Sequence, residues 1–92
     1  MARVRYRSKV RDYLRAHGIT NAWFIRETGV DPNAFYHIES GRRVASASYR
    51  RLALRALADV GATAADLFEP LPPGETPHRA MPADVRARFE RD

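Results

Sequence analysis

From Ser8 onward the apolar residues recur at helical spacing, and glycines punctuate them. Val10, Tyr13, Leu14 and His17 fall at i, i+3, i+4 and i+7, one face of a first helix, with Ser8 as a candidate N-cap and Gly18 as its stop. Thr20 introduces a second helix through Ala22, Phe24, Ile25 and Thr28, closed by Gly29. Asp31 caps a third, with Pro32 at the first helical position, where a missing N–H costs nothing, and Gly41 at the end. A fourth starts at Ser46 or Ser48 and shows Leu52, Ala53, Ala56, Leu57 and Val60 on one small-residue face before Gly61. Thr63 and Asp66 then have the spacing of a capping box for a last short helix that carries Leu67 and Phe68. Phe24, Phe35, Ile38, Leu57 and Phe68 are the expected core.

The two ends differ from this pattern. Residues 3–7, RVRYR, alternate apolar or aromatic with basic, which suits either an extended arm or an edge strand. We read residues 1–7 as a basic arm. Glu69-Pro70-Leu71-Pro72-Pro73-Gly74 must break a helix, so residues 70–80 read as a linker. Beyond it, Val85 and Phe89 at i, i+4 suit a short helix over 81–91, serving as a dimer contact or folding back on the domain. The expected fold is therefore all-α: a compact five-helix domain at 8–69, a basic arm before it, and a Pro-rich linker with a tail or short helix over 70–92.

Composition narrows the function classes. At 92 residues the chain is one small domain, and the absence of cysteine removes disulfides, thiolate zinc sites and thiol nucleophiles together. The histidines His17, His37 and His78 stand at least twenty residues apart, with no helical pairing to hold a metal. No nucleophile–base pair or phosphate loop is evident, so neither an enzyme, a cofactor nor a small-molecule ligand is expected. No apolar run approaches a membrane span, and the opening MARVRYRSKVRD lacks a signal-peptide core, so a cytoplasmic protein without membrane contact is expected.

Charge changes the picture more. Of sixteen basic residues, six lie in residues 1–15 beside one acid, and five lie in residues 42–55 with none. Two basic segments on a small protein point to a polyanion, nucleic acid before membrane.

The second and third helices are joined by Gly29-Val30-Asp31, and two short helices on a tight turn are the arrangement of a helix-turn-helix. At 100° per residue, Ala34, Phe35 and Ile38 share one side of the third helix. Asn33, Tyr36, His37 and Ser40 share the other, with Pro32 at its edge. Amide, phenol, imidazole and hydroxyl groups can read base edges in a major groove. Arg42 and Arg43, just behind that helix, are placed for phosphates. Arg3, Arg5 and Arg7 suit either a minor-groove arm or a basic tail that adds only salt-dependent affinity.

The segment GITNAWFIRETGVDPNAFYHIESGRR, followed by a helix and ATAADLF, resembles the Cro/C1-type (XRE) helix-turn-helix domain of phage repressors and related regulators. The likeness covers residues 10–68 and is most specific at Gly18-Ile19-Thr20, Gly29-Val30, Ile38-Glu39-Ser40-Gly41-Arg42 and Leu67-Phe68. It implies a lambda-repressor-like fold with the third helix (31–40) in the major groove and the second across it. Asn33, Tyr36 and His37 would then face bases, while Thr20, Asn21, Arg42 and Arg43 would meet the backbone. The chain departs from that pattern at Asn21, where glutamine is frequent, and at Ile25, where a small residue is usual. It departs again at Leu14, where an arginine often pairs with the glutamate standing here as Glu39; that leaves Glu39 to Arg15, to Arg42 or to no partner.

The implied function is sequence-specific binding of double-stranded DNA by a transcriptional regulator, a repressor of phage or mobile-element type. One such domain reads about 4–6 base pairs, so a homodimer on a palindrome is expected, or a monomer whose arm supplies further contacts. The alternative is a helix-turn-helix reused for protein binding, as an antitoxin or a phage factor on a host protein, with Trp23 and Tyr36 as its aromatic contacts.

Overall fold

The computed structural model of the protein describes residues 4–75. Among them the order is β1 (Arg5–Ser8), α1 (Val10–Ala16), α2 (Asn21–Thr28), α3 (Pro32–Glu39), α4 (Ala47–Leu57), a 3-10 turn over Ala58–Val60, α5 (Ala64–Leu67) and β2 (Phe68–Leu71). Five helices match the expectation. The two-stranded sheet does not, and it corrects the all-α reading.

Three of the helix starts have a side-chain cap as their local cause. The Thr20 hydroxyl accepts from Trp23 N–H at 3.1 Å, and the Ser46 hydroxyl accepts from Tyr49 N–H at 3.2 Å, so Ser46 rather than Ser48 starts α4. Thr63 and Asp66 form the full capping box, with Thr63 N–H donating to the Asp66 carboxylate at 2.9 Å. Asp31 holds the N-cap position of α3, but its side chain makes no cap hydrogen bond. Ser8 is not the cap of α1, because it is the last residue of β1 and Lys9 holds the cap position. The buried Ser8 hydroxyl still accepts from Val10 N–H at 3.1 Å.

The core gathers Val10, Leu14, Phe24, Phe35, Ile38, Ala45, Tyr49, Ala53, Leu57, Leu67 and Phe68. All five expected core residues are in it. Phe24 of α2 meets Phe35 of α3 with ring centroids 5.6 Å apart, and Tyr49 of α4 meets both Phe24 and Phe68 edge-on at 6.3 Å. Tyr49, Ala53 and Leu57, spaced i, i+4, i+8, form the buried face of α4. Val60, expected on that face, is exposed because the 3-10 turn has by then rotated the chain out of register. His17 likewise leaves the α1 face, stacking on Tyr13 at the surface with centroids 4.0 Å apart.

The expected free arm is a strand from Arg5 to Ser8. β1 pairs antiparallel with β2 in the register Arg5↔Leu71, Tyr6↔Pro70, Arg7↔Glu69, Ser8↔Phe68. Its other edge takes the loop between α3 and α4, where Ala45 N–H donates to the Tyr6 carbonyl at 2.8 Å. Tyr6 therefore points its backbone groups away from β2, so Tyr6 and Pro70 form a non-hydrogen-bonded pair and the proline forfeits no ladder bond. Alternation alone left arm and strand open for residues 3–7; the strand forms because these partners satisfy its backbone. The expected boundary after residue 69 falls inside β2, whose Pro70 and Leu71 belong to the folded unit. The expected helix over 81–91, with Val85 and Phe89, lies outside the described residues. No helix among the described residues is long and apolar enough to cross a membrane.

The capping box yields a prediction with a definite sign. Hydrogen bonds from the Thr63 backbone and side chain hold the Asp66 carboxyl below the usual aspartate range. Its contribution is complete above the unfolded aspartate value, near 3.9, and is lost as pH falls through the lower folded value. Asp66→Asn should melt below wild type at neutral pH, and the two melting curves should converge on acidification; thermal unfolding across pH 2–7 reads this directly.

Candidate nucleic-acid interface

The turn between α2 and α3 is short because Gly29 adopts φ 70°, closing α2 with its N–H on the Ile25 carbonyl at 2.9 Å. A side chain at that φ would be strained, so glycine lets the chain reverse at once into Asp31 and Pro32. At the far end of α3, Gly41 at φ 83° is buried and closes a Schellman motif. Arg42 N–H reaches the His37 carbonyl at 2.9 Å, and Gly41 N–H reaches the Ile38 carbonyl at 3.2 Å. Arg43 N–H shares the His37 carbonyl at 3.2 Å. Both arginines are thereby attached to the end of α3, with their side chains exposed.

Between these ends α3 is two-sided, as the helical wheel requires. Phe35 and Ile38 are buried, and Ala34 is half-buried. Asn33, Tyr36 and Ser40 are exposed, and His37 is half-buried beside them. Tyr36 is 53% exposed even though its ring stands edge-on to Phe35, with centroids 5.2 Å apart, so the phenol extends outward from an apolar footing. The Ser40 hydroxyl donates to the His37 carbonyl at 3.3 Å, which leaves mainly its lone pairs to offer.

Glu39, the one acid within α3, does not join that face. One carboxylate oxygen accepts from Arg11 N–H in the first turn of α1 at 2.8 Å, and the other accepts from the Tyr49 hydroxyl at 2.5 Å. Neither Arg15 nor Arg42 supplies its partner, contrary to the candidates from sequence. Burial first, and then the Glu39 carboxylate, push the Tyr49 phenol far above the ordinary tyrosine value, against a smaller downward pull from the Ser8 hydroxyl. Tyr49 is thus a fixed donor. Sequence reasoning passed it over; its i, i+4, i+8 relation to Ala53 and Leu57 was the available signal.

At the start of α2, Thr20 is exposed and Asn21 half-buried. The Thr20 oxygen that accepts from Trp23 keeps its own O–H for an outside acceptor. Trp23 is half-buried against the core, not an exposed aromatic.

The other expected cationic contacts divide differently. Arg7 forms an ion pair with Glu69 across the sheet, and Arg5 donates to the Glu75 carbonyl at 2.7 Å. Lys9 donates to the Ala65 carbonyl at 2.9 Å. Arg50 donates to the Ala45 carbonyl at 2.7 Å with its guanidinium 4.4 Å from the Tyr6 ring centroid. Arg5 and Arg7 are engaged within the fold rather than carried on an arm, and Arg3 lies outside the described residues.

No family model, no curated protein and no solved structure matches the chain.

Removing the Tyr49 hydroxyl leaves a half-buried carboxylate short of one donor. Tyr49→Phe should cost about 1.5–3 kcal/mol by urea unfolding at pH 7, the range for hydrogen bonds to charged groups. Because folding raises the phenol's pKa, its contribution is complete below the unfolded value, near 10, and erodes as pH rises above it. The gap between variant and wild type should therefore narrow in alkali.

Proposed function

We propose that the protein binds double-stranded DNA in a sequence-specific manner through α3, as a transcriptional regulator of the Cro/C1-type helix-turn-helix class with a lambda-repressor-like arrangement of its five helices. The observation that carries this reading is the acid-free outer face of α3. Asn33, Tyr36, His37 and Ser40 supply donors and acceptors of the kinds that recognise base edges. The helix's only carboxylate is turned inward onto Arg11 N–H and Tyr49. Arg42 and Arg43 stand exposed at the helix end, and Thr20 retains a hydroxyl proton at the start of α2, in positions that suit backbone contacts flanking a reading helix.

The repressor role, of phage or mobile-element type, rests on the motif resemblance, as does a homodimer on a palindromic site. A protein-binding role has less support here, since Trp23, one of its two aromatic contacts, is packed against the core.

The decisive measurement is selection from a randomised duplex library at about 150 mM salt, where non-specific binding is suppressed. An enriched motif is expected, and its symmetry reports one or two copies per site. Failure to enrich any motif with folded protein would overturn the reading. On the selected site, Tyr36→Ala and His37→Ala should each cost about 1–3 kcal/mol, and much less on random duplex. Arg42→Gln with Arg43→Gln should weaken both duplexes alike and reduce the salt slope by about 0.9 per lost phosphate contact.

A further inference from the structure

The exposed face of α4 carries a cationic surface that no base-reading or backbone role above uses. Tyr49, Ala53 and Leu57 point α4 inward, so Ser48, Arg51 and Arg55 lie on the opposite side, and Ser48, Arg51 and Arg55 are indeed exposed. With half-buried Leu52 they line a shallow, open depression of about 430 Å3. α4 contains no acid. Asp59, in the following 3-10 turn, is the next acid along the chain, and no ion pair joins it to Arg55.

Among the described residues, Arg5, Arg7, Lys9 and Arg50 all bond to groups of the fold, whereas Arg51 and Arg55 have no internal partner. Two guanidiniums one helical turn apart, unpaired and without a neutralising acid on their helix, repel each other and gain most from an external anion. At a rise of about 1.5 Å per residue they are about 6 Å apart along the axis. A duplex strand presents a phosphate about every 3.4 Å of its axis, so each guanidinium can engage a different phosphate of one strand. The Ser48 hydroxyl adds a neutral hydrogen-bonding group to the lining of the depression, and Leu52 adds an apolar one.

We propose that the outer face of α4, through Arg51 and Arg55 with Ser48 beside them, is a second DNA-backbone contact surface, separate from Arg42 and Arg43 at the end of α3. It rests on the DNA-binding reading and adds affinity without sequence preference, because it meets phosphates only.

The test is fluorescence anisotropy of full-length protein on a labelled duplex across a salt series, with thermal melts to show that the variants fold. Arg51→Gln with Arg55→Gln should reduce the slope of log K against log salt by about 1–2, equally on the selected site and on random duplex. Arg51→Lys with Arg55→Lys should retain the slope, because a phosphate contact needs the charge. Combining the glutamine pair with Arg42→Gln and Arg43→Gln should give additive losses of slope. An unchanged slope in the folded glutamine variant, with wild type binding the duplex, would overturn the proposal. So would an unchanged DNA slope accompanied by lost binding to a poly-glutamate chain, which would assign the face to an acidic protein. If wild type itself binds no duplex, the DNA reading fails first, and that result is distinct from either.

Discussion

The arrangement of the domain depends on where the Glu39 carboxylate goes. Its two oxygens join the end of α3 to the first turn of α1, through Arg11 N–H, and to α4, through the Tyr49 hydroxyl. The α1 contact does two things at once: it satisfies an orphan N–H at a helix start and places a negative charge at the positive end of the helix dipole. The Tyr49 contact is a charge-assisted bond made beneath the surface, where water competes poorly. Three helices are thereby referred to one side chain. The same bonds hold the one carboxylate within α3 away from Asn33, Tyr36, His37 and Ser40, so one arrangement orients the helix and keeps that charge off its outer face.

Much of this was legible along the chain. Glycines at 18, 29, 41 and 61, with Thr20, Ser46 and Thr63 ahead of helices, delimit the elements because caps and left-handed stops act within a few residues. The two sides of α3 follow from the same local periodicity. What was not legible depends on contacts between distant segments. Residues 5–8 become a strand only because residues 68–71 and the loop at Ala45 lie on either side of them. The partners of Glu39 could not be chosen from spacing, since Tyr49 is ten residues away and Arg11 contributes a backbone group rather than its charge.

Charge counting shows the same limit. The N-terminal basic segment looks like an arm in sequence, yet β1 places Arg7 against Glu69, Arg5 against a carbonyl and Lys9 against the end of α5. Surface contacts of this kind, the ion pair and the two bonds to carbonyls, add little stability individually. Their effect is on availability, because a guanidinium already bonded must exchange that partner for a phosphate. The second basic segment divides too: Arg50 lies over Tyr6, while Arg42, Arg43, Arg51 and Arg55 project outward. Net charge therefore overstates the cationic surface on β1 and understates its concentration after α3.

That concentration has a structural origin. The Schellman closure at Gly41 turns the chain sharply off the end of α3 and uses two successive N–H groups, those of Arg42 and Arg43, on one carbonyl. Their backbones are fixed by the fold while their side chains are free, a combination that lowers the entropy lost when a charged side chain engages an outside partner. The loop then returns to Tyr6 through Ala45, and Arg50 closes over that junction. The β1 strand thus acts at a distance on the α3 end: by holding Ala45, it sets the path that the chain takes from Arg43 into α4. The basic segment at residues 5–8 is therefore a frame for the chain that follows it, with its arginines bonded within the fold.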